Sequence, residues 1–337
     1  MHYKAPAWLM GGHVQTIWSA LYARRHWGPL RPLQRERWVT PDGDFVDVDR
    51  QTASHPSRPL VVLFHGLEGS SQSHYAQAFA DWAAEHDLNF ALPHFRGCSG
   101  ELNHAPRAYH SGDHQEVDWI LRNIRLAHQQ AGGQTVVVAG VSLGGNALMR
   151  WAGEQGTHAK AKADAVASIC SPLDLVASGN AIGKGFNRQV YTRMFLRSMK
   201  PKALAKLAQH PGLFDKQRML DARDLYAFDN VFTAPLHGFK NTDDYWKRAS
   251  AKPVMHQIAI PALALNALND PFVPASSLPQ RKDVSSSVTL WHPAQGGHVG
   301  FAQGGVPGHV RGLPDAVGGW LLQAASHPQN KQETRHG

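Results

Sequence analysis

A serine with glycine two residues away on each side, as in Gly140-Val141-Ser142-Leu143-Gly144, can serve as a nucleophile. Its hydroxyl is exposed by a sharp turn, and side chains at the two flanking positions would collide with the strand before it and the helix after it. The flanks fit that geometry. Thr135-Val136-Val137-Val138-Ala139 reads as a buried strand, and Ala147, Leu148, Met149, Trp151 and Ala152 as a helix that follows at once. At neutral pH such a serine needs a base, and the base needs an acid to orient it. Downstream, the sequence offers Asp270 in Asn269-Asp270-Pro271-Phe272-Val273-Pro274 and His298 in Gly296-Gly297-His298-Val299-Gly300. Each follows a strand-like run, so both should reach the rim that carries Ser142, and the chain order Ser, Asp, His suits a nucleophile elbow. Taken singly, Asp270 before a proline is an ordinary turn former and His298 is one of 21 histidines. The ordered combination is what argues for chemistry. Asp174, just past an earlier strand, is the substitute acid. Negative charge developing on an attacked carbonyl would need donors, and the backbone N–H groups of Leu143 and of Leu67, in His65-Gly66-Leu67-Glu68-Gly69, are the candidates.

The elements that must position these residues alternate along the chain. Arg35–Val39 and Phe45–Val48 flank the turn Thr40-Pro41-Asp42-Gly43-Asp44 and predict a β-hairpin. Pro59–Phe64 is a continuous apolar strand, His74–Glu85 has helical spacing, Asn89–Leu92 is a strand and His114–His128 a helix. With the Thr135 strand, its helix and Ala165–Ile169, the pattern is that of a mostly parallel sheet covered by helices on both faces, an α/β fold. The alternation stops at Ser171-Pro172. Residues 172–260 read as helical only, around Phe186–Met199, Lys202–His210, Gln217–Phe228 and Asp243–Ala249, before strands at Pro261–Leu265 and Ser286–Leu290 and a last helix at Pro314–Ala325. The expected organisation is an N-terminal arm over residues 1–35, a core of 36–171 and 261–326, and a helical cap of 172–260 inserted before the next-to-last strand. A polar, disordered tail over 327–337 completes it. The cap would lie over the sheet's carboxyl edge, where ligands bind in such folds.

Composition narrows the classes. The 337 residues carry a net charge of +8 spread over the chain, with no nucleic-acid motif, and no window is apolar enough to span a bilayer. No signal peptide is evident, and with only Cys98 and Cys170 there is neither a disulfide framework nor a zinc spacing, so a cytoplasmic protein is expected. Both cysteines read as buried free thiols. Neither a dinucleotide fingerprint nor a phosphate-binding loop follows any strand, and His292 and His298 are too far apart for a zinc pair, so no cofactor and no metal are expected. In Arg96-Gly97-Cys98-Ser99-Gly100 the glycines could cradle an anion, but a structural turn lining the pocket is the plainer reading. The cap holds Lys184, Arg188, Arg193, Arg197, Lys200, Lys202 and Lys206 with no acidic residue between Asp174 and Asp215. Phe186, Val190, Met194 and Phe195 are expected to face the core from that helix. A solvated basic face is the plain account; recruitment of an anionic lipid surface or an acidic acyl substrate is the sharper one.

Further blocks carry a family resemblance. His13-Val14-Gln15-Thr16, Pro41-Asp42-Gly43-Asp44-Phe45, His65-Gly66-Leu67-Glu68-Gly69-Ser70, His94-Phe95-Arg96-Gly97-Cys98-Ser99-Gly100, Tyr109-His110-Ser111-Gly112, Ser142-Leu143-Gly144-Gly145-Asn146, Asp270-Pro271-Phe272 and Gly296-Gly297-His298-Val299-Gly300-Phe301 together resemble the YheT-like branch of the α/β-hydrolase superfamily, related to the ABHD-type esterases. The likeness runs from about Tyr3 to Leu322 and is weakest in the cap. It implies an α/β-hydrolase fold, a Ser142–Asp270–His298 charge relay and action on acyl esters, some of them lipids. It raises Tyr109–Gly112 above a plain loop without giving it a role. The expected function is therefore carboxylic ester hydrolysis through an acyl-enzyme on a small acyl ester. Acyl transfer or thioester cleavage with the same residues is an alternative, and a non-catalytic binding protein on the same fold a remoter one.

Overall fold

The computed structural model describes residues 3–28 and 31–326; the tail expected at 327–337 lies outside them. The first element is a helix, α1 (Gly12–Leu21), in the stretch where no period is visible in the sequence. The hairpin follows as β1 (Gln34–Val39) and β2 (Phe45–Gln51), then β3 (Leu60–Phe64), α2 (His74–Glu85), β4 (Asn89–Pro93), α3 (His114–Gln130), β5 (Val136–Val141), α4 (Leu143–Gln155) and β6 (Ala165–Ile169). Helices alone occupy the next stretch: α5 (Leu175–Ile182), α6 (Gly185–Asn187), a π turn over Arg188–Thr192, α7 (Arg193–Gln209), α8 (Lys216–Asp221), α9 (Leu225–Val231), α10 (Thr233–Leu236) and α11 (Thr242–Ala249). The chain closes with β7 (Ala262–Leu265), β8 (Val288–Trp291) and α12 (Gly312–Ser326).

The strands form one eight-stranded sheet in the order β1-β2-β4-β3-β5-β6-β7-β8. The hairpin pairs antiparallel with β4, and every pair from β4 through β8 is parallel. Alternation along β3 and β5 divides the core. Val62, Phe64 and Val138 pack with Ile120, Leu121, Leu148 and Trp151 of α3 and α4 on one face, while Val61, Leu63 and Val137 meet Phe79, Trp82, Val317 and Leu321 of α2 and α12 on the other. Both faces are covered, so these strands read as unbroken apolar runs.

Three expectations for the inserted helices change. The segment expected at Gln217–Phe228 is broken into α8 and α9, with Asp224 capping the second by accepting the Ala227 amide. The segments expected at Phe186–Met199 and Lys202–His210 are joined, because α7 continues through Pro201. Burial of Leu196 before the proline and of Ala203 and Lys206 after it holds the helix across the lost hydrogen bond. Phe186, Val190 and Met194 do not face the core; they are exposed. The buried side of this stretch is instead the one bearing Tyr191, Thr192, Leu196 and Ala203, packed against Phe272 at one end and against Met219, Phe228 and Phe232 at the other. Phe195 alone of the four turns inward, to the wall of a cleft.

Candidate active site

The turn after β5 follows from three close approaches. A side chain on Gly140 would meet the Gly144 carbonyl at 2.6 Å and Gly145 Cα at 2.7 Å, one on Gly144 would strike the His65 and Phe64 carbonyls, and one on Gly145 would strike Ser171 Oγ. Ser142 between them has φ 53° and ψ −119°, a conformation that costs a non-glycine residue of order 1–3 kcal/mol. Its N–H stays in the sheet by donating to Ile169 O at 2.8 Å, and its own carbonyl accepts the amides of Gly145 and Asn146. The strain is held by backbone on both sides.

The loops after β7 and β8 bring the other two residues to this hydroxyl. His298 Nε2 accepts from Ser142 Oγ at 2.9 Å, and its Nδ1–H donates to Asp270 Oδ2 at 2.9 Å. Asp270 is fixed in turn, since its Oδ1 accepts the Phe272 amide at 2.8 Å. The Phe272 ring lies against the imidazole with centroids 4.1 Å apart. An imidazole held this way presents one basic nitrogen to the serine, and the carboxylate stabilises the imidazolium that proton transfer would create. Asp174 is not part of the arrangement. It caps α5, accepting the Ala177 amide at 3.0 Å.

Leu143 is the first residue of α4, so its amide belongs to the positive end of that helix. The loop after β3 lies against the same serine: a Cβ on Gly66 would stand 3.2 Å from Ser142 Cβ. Leu67 and Leu143 both border the cleft, and neither amide is taken by another described residue. His65 braces this loop rather than reacting. Its Nδ1–H donates to Gly66 O at 2.7 Å and its Nε2 accepts the Phe95 amide at 3.0 Å, while burial pushes its pKa down to about 3, so it stays neutral.

Several positioning residues carry no signal that spacing could reveal. On α1, Thr16 Oγ1 accepts the His298 amide at 2.8 Å, and Gln15 Oε1 accepts both the Gly296 amide and Asn269 Nδ2 at 2.9 Å. The glycines around His298 have their reason here. A side chain on Gly297 would meet Gly12 O and Thr16 Oγ1 at 2.7 and 2.8 Å. The Tyr109–Gly112 block also acquires a role. Tyr109 OH accepts the Glu68 amide at 2.9 Å and donates to Glu68 Oε1 at 3.0 Å, one residue from Leu67. Lys202 of α7 pairs with the same carboxylate at 2.9 Å, tying the inserted helices to this loop. Ser111 O accepts Asn146 Nδ2 of α4, and Gly112 is pressed against Ala249 of α11.

The anion-cradle reading of Arg96–Gly100 yields to the structural one. The Arg96 guanidinium is buried among Asp42, Asp44 and Glu116 at 2.8, 3.0 and 2.6 Å, and the Gly97 amide is occupied by Asn103. Cys98 and Cys170 are buried and unpaired, and burial pushes the Cys98 thiol up to about 12.

Above the serine the helical insertion and the sheet edge enclose a cleft whose empty space is about 1200 Å³, counted out to where it opens to solvent. Its wall is mainly apolar, with Ile182, Phe195, Met199, Phe228 and Phe232 opposite Ser142 and His298. The lysines on that wall are engaged: Lys202 by Glu68, and Lys206 by the carbonyls of Asn103 and Ala105.

The comparisons agree with this architecture. The family model described as the alpha/beta hydrolase fold matches residues 59–305. YheT of Escherichia coli (strain K12), named as an esterase, is 33% identical over 332 residues, 96% of this chain and 88% of that protein. Phospholipase ABHD3 of Homo sapiens is 26% identical over 90% of this chain and 74% of its own length. Among solved structures, Est1E from Butyrivibrio proteoclasticus superposes with a TM-score of 0.51 at 15% identity, covering 88% of this chain and all (100%) of that one. No helix among the described residues is long and apolar enough to cross a membrane. From the elbow after β5 to the loops after β7 and β8, sequence and architecture lead to one statement: the chain belongs to the alpha/beta hydrolase fold family.

Proposed function

We propose that the protein is a carboxylic ester hydrolase that takes acyl esters with an apolar, lipid-like acyl part. The carrying observation is the chain of two 2.9 Å hydrogen bonds from Ser142 through His298 to Asp270, at the base of a mainly apolar cleft. Ser142 Oγ attacks the acyl carbon as its proton passes to His298 Nε2, with Asp270 holding the imidazolium. The tetrahedral oxyanion is met by the Leu67 and Leu143 amides. Its collapse breaks the ester C–O bond, and His298 returns the proton to the leaving alcohol. Water, deprotonated by the same nitrogen, then cleaves the acyl-serine and frees the carboxylic acid. An acidic acyl group is the less favoured substrate, because the cations on the cleft wall already have partners. The names of the relatives, an esterase and a phospholipase, support ester cleavage as the reaction class.

The test is a series of p-nitrophenyl esters from acetyl to palmitoyl, with Ser142→Ala beside the wild type. The expected result is turnover that improves from acetyl toward longer chains and is lost in the variant. Equal turnover by the variant would sink the proposal. Added glycerol separates the alternative of acyl transfer, which would yield glyceryl ester in place of free acid.

A further inference from the structure

Helix α1 is inside out. Its buried side chains are Gln15, Thr16 and Ser19, spent on the loops that carry His298 and Asp270, whereas Val14 and Leu21 point to solvent with Met10 just before the helix. Val14 and Leu21, seven apart, share one face of α1. A second exposed apolar row, Phe186, Val190 and Met194, runs along α6, the π turn and the start of α7. The six side chains are between 36% and 75% exposed. The two rows adjoin, because His13 of α1 lies between Phe186 (centroids 4.6 Å) and Tyr191 (5.8 Å, and 3.0 Å from Nδ1 to the hydroxyl). An apolar surface spanning two elements and this far exposed is not explained by folding.

Charge identifies what would cover it. Residues 1–35 contain no aspartate or glutamate, and neither do residues 175–214, so both rows lie in segments free of acidic side chains. Arg193 and Arg197 stand on the same side of the helix as Val190 and Met194, and Lys184 and Arg188 precede them. All four cations lack a carboxylate within salt-bridge distance among the described residues, unlike Lys202. Exposed apolar side chains with unpaired cations along one of their two rows suit the interface of an anionic bilayer, where the former enter the acyl boundary and the latter meet phosphate. The surface also abuts the cleft: Tyr191 packs on Phe272 with centroids 4.5 Å apart, and Phe272 covers His298. Phe195, one residue beyond Met194, lines the cleft itself.

We propose that the adjoining exposed rows of α1 and α6–α7 form a docking face for an anionic lipid surface, placing the mouth of the cleft against the bilayer. The inference concerns attachment and does not depend on the ester-hydrolase reading. Binding is reversible, since neither row is long enough to span a membrane.

The experiment is co-sedimentation of the full chain with extruded vesicles of phosphatidylcholine alone or with 30 mol% phosphatidylglycerol (about one lipid in three, a strongly anionic surface), at low and high salt. Wild type is expected to bind the anionic vesicles at least about tenfold more tightly, with salt weakening binding. Arg193→Glu/Arg197→Glu and Val14→Ser/Phe186→Ser/Met194→Ser should each lose about tenfold or more in that affinity. Both variants should keep the wild-type melting temperature and wild-type turnover of a water-soluble ester. Equal binding to both vesicle types, binding to neither, or variants that bind as well as wild type would overturn the proposal. Loss of soluble-ester turnover in wild type would instead count against the hydrolase reading alone.

Discussion

Replacing Thr16 with valine should impair the site from a helix that supplies no residue to the cleft wall. Thr16 Oγ1 accepts the His298 amide at 2.8 Å and donates to Gly12 O at 2.7 Å, and the residue is 8% exposed. Valine has nearly the same shape and neither hydrogen bond, so the His298 N–H is left without its acceptor. An orphaned buried donor costs about 1–3 kcal/mol. The loop can relieve that cost only by moving, and His298 is held to two partners at 2.9 Å each. If the penalty falls on reaching the reactive geometry, about 1.4–2.8 kcal/mol corresponds to a loss of roughly 10–100-fold in kcat. KM should change by less than about twofold, because Thr16 is not part of the cleft wall and the variant removes no group from it. The melting temperature should fall by roughly 2–6 °C. The assay is steady-state hydrolysis of p-nitrophenyl butyrate by purified protein, with thermal unfolding in parallel. Thr16→Ser keeps the hydroxyl and should stay within about threefold of wild type. Unchanged kcat in Thr16→Val, or an equal loss in Thr16→Ser, would refute the bracing of His298 by α1.

Three further outcomes follow from the same geometry. Asp270→Asn presents the wrong partner to His298 Nδ1 and should lower kcat by on the order of 10⁴ with KM nearly unchanged, measured on the same ester. Tyr109→Phe keeps the ring stacked on Phe95 but leaves the Glu68 amide without its acceptor and its carboxylate held by Lys202 alone, so kcat should fall roughly fivefold to tenfold and the melting temperature by a few degrees, as in Thr16→Val. A variant equal to wild type would remove Tyr109 from the support of the loop that carries Leu67. Burial raises the Asp229 carboxyl to about 6, against Thr233 and Trp246 as its donors. Its folded pKa is above the unfolded one, so its contribution is greatest below pH 4 and is lost as pH rises through 6, a change of about 3 kcal/mol. Asp229→Asn should remove that descent, raising the melting temperature relative to wild type above pH 6; parallel pH profiles for the two proteins would exclude it.

What could be read from the sequence was whatever depends on neighbours in the chain. The elbow is local: strand, three crowded glycines and helix are consecutive, and Gly140, Gly144 and Gly145 are small for reasons of direct backbone contact. Asp270 and His298 are distant in sequence, yet each needs only to follow a strand of a parallel sheet to reach the same edge. Helix α1 was invisible because its buried face is polar: Gln15, Thr16 and Ser19 reverse the apolar pattern by which a surface helix is recognised. The same inversion hid its purpose, since the acceptors it offers to Gly296 and His298 lie some 280 residues away, at separations of 281 and 282. In the insertion, the π turn at Arg188–Thr192 changes the phase of the helix, so a 3.6-residue period assigns Phe186, Val190 and Met194 to the core while Tyr191 and Leu196 fill it. Tyr109 was singled out only as part of a block; its partner Glu68 comes from another loop, and no periodicity relates the two.

Ser142 is proposed as a nucleophile activated by His298. Intact-mass measurement after treatment with a fluorophosphonate, followed by peptide mapping, tests it without knowledge of the substrate. The expected result is one adduct per chain, located on Ser142, absent in Ser142→Ala and formed far more slowly in Asp270→Asn. No adduct on the folded wild-type protein, or an adduct on any other residue with Ser142 unmodified, would contradict it.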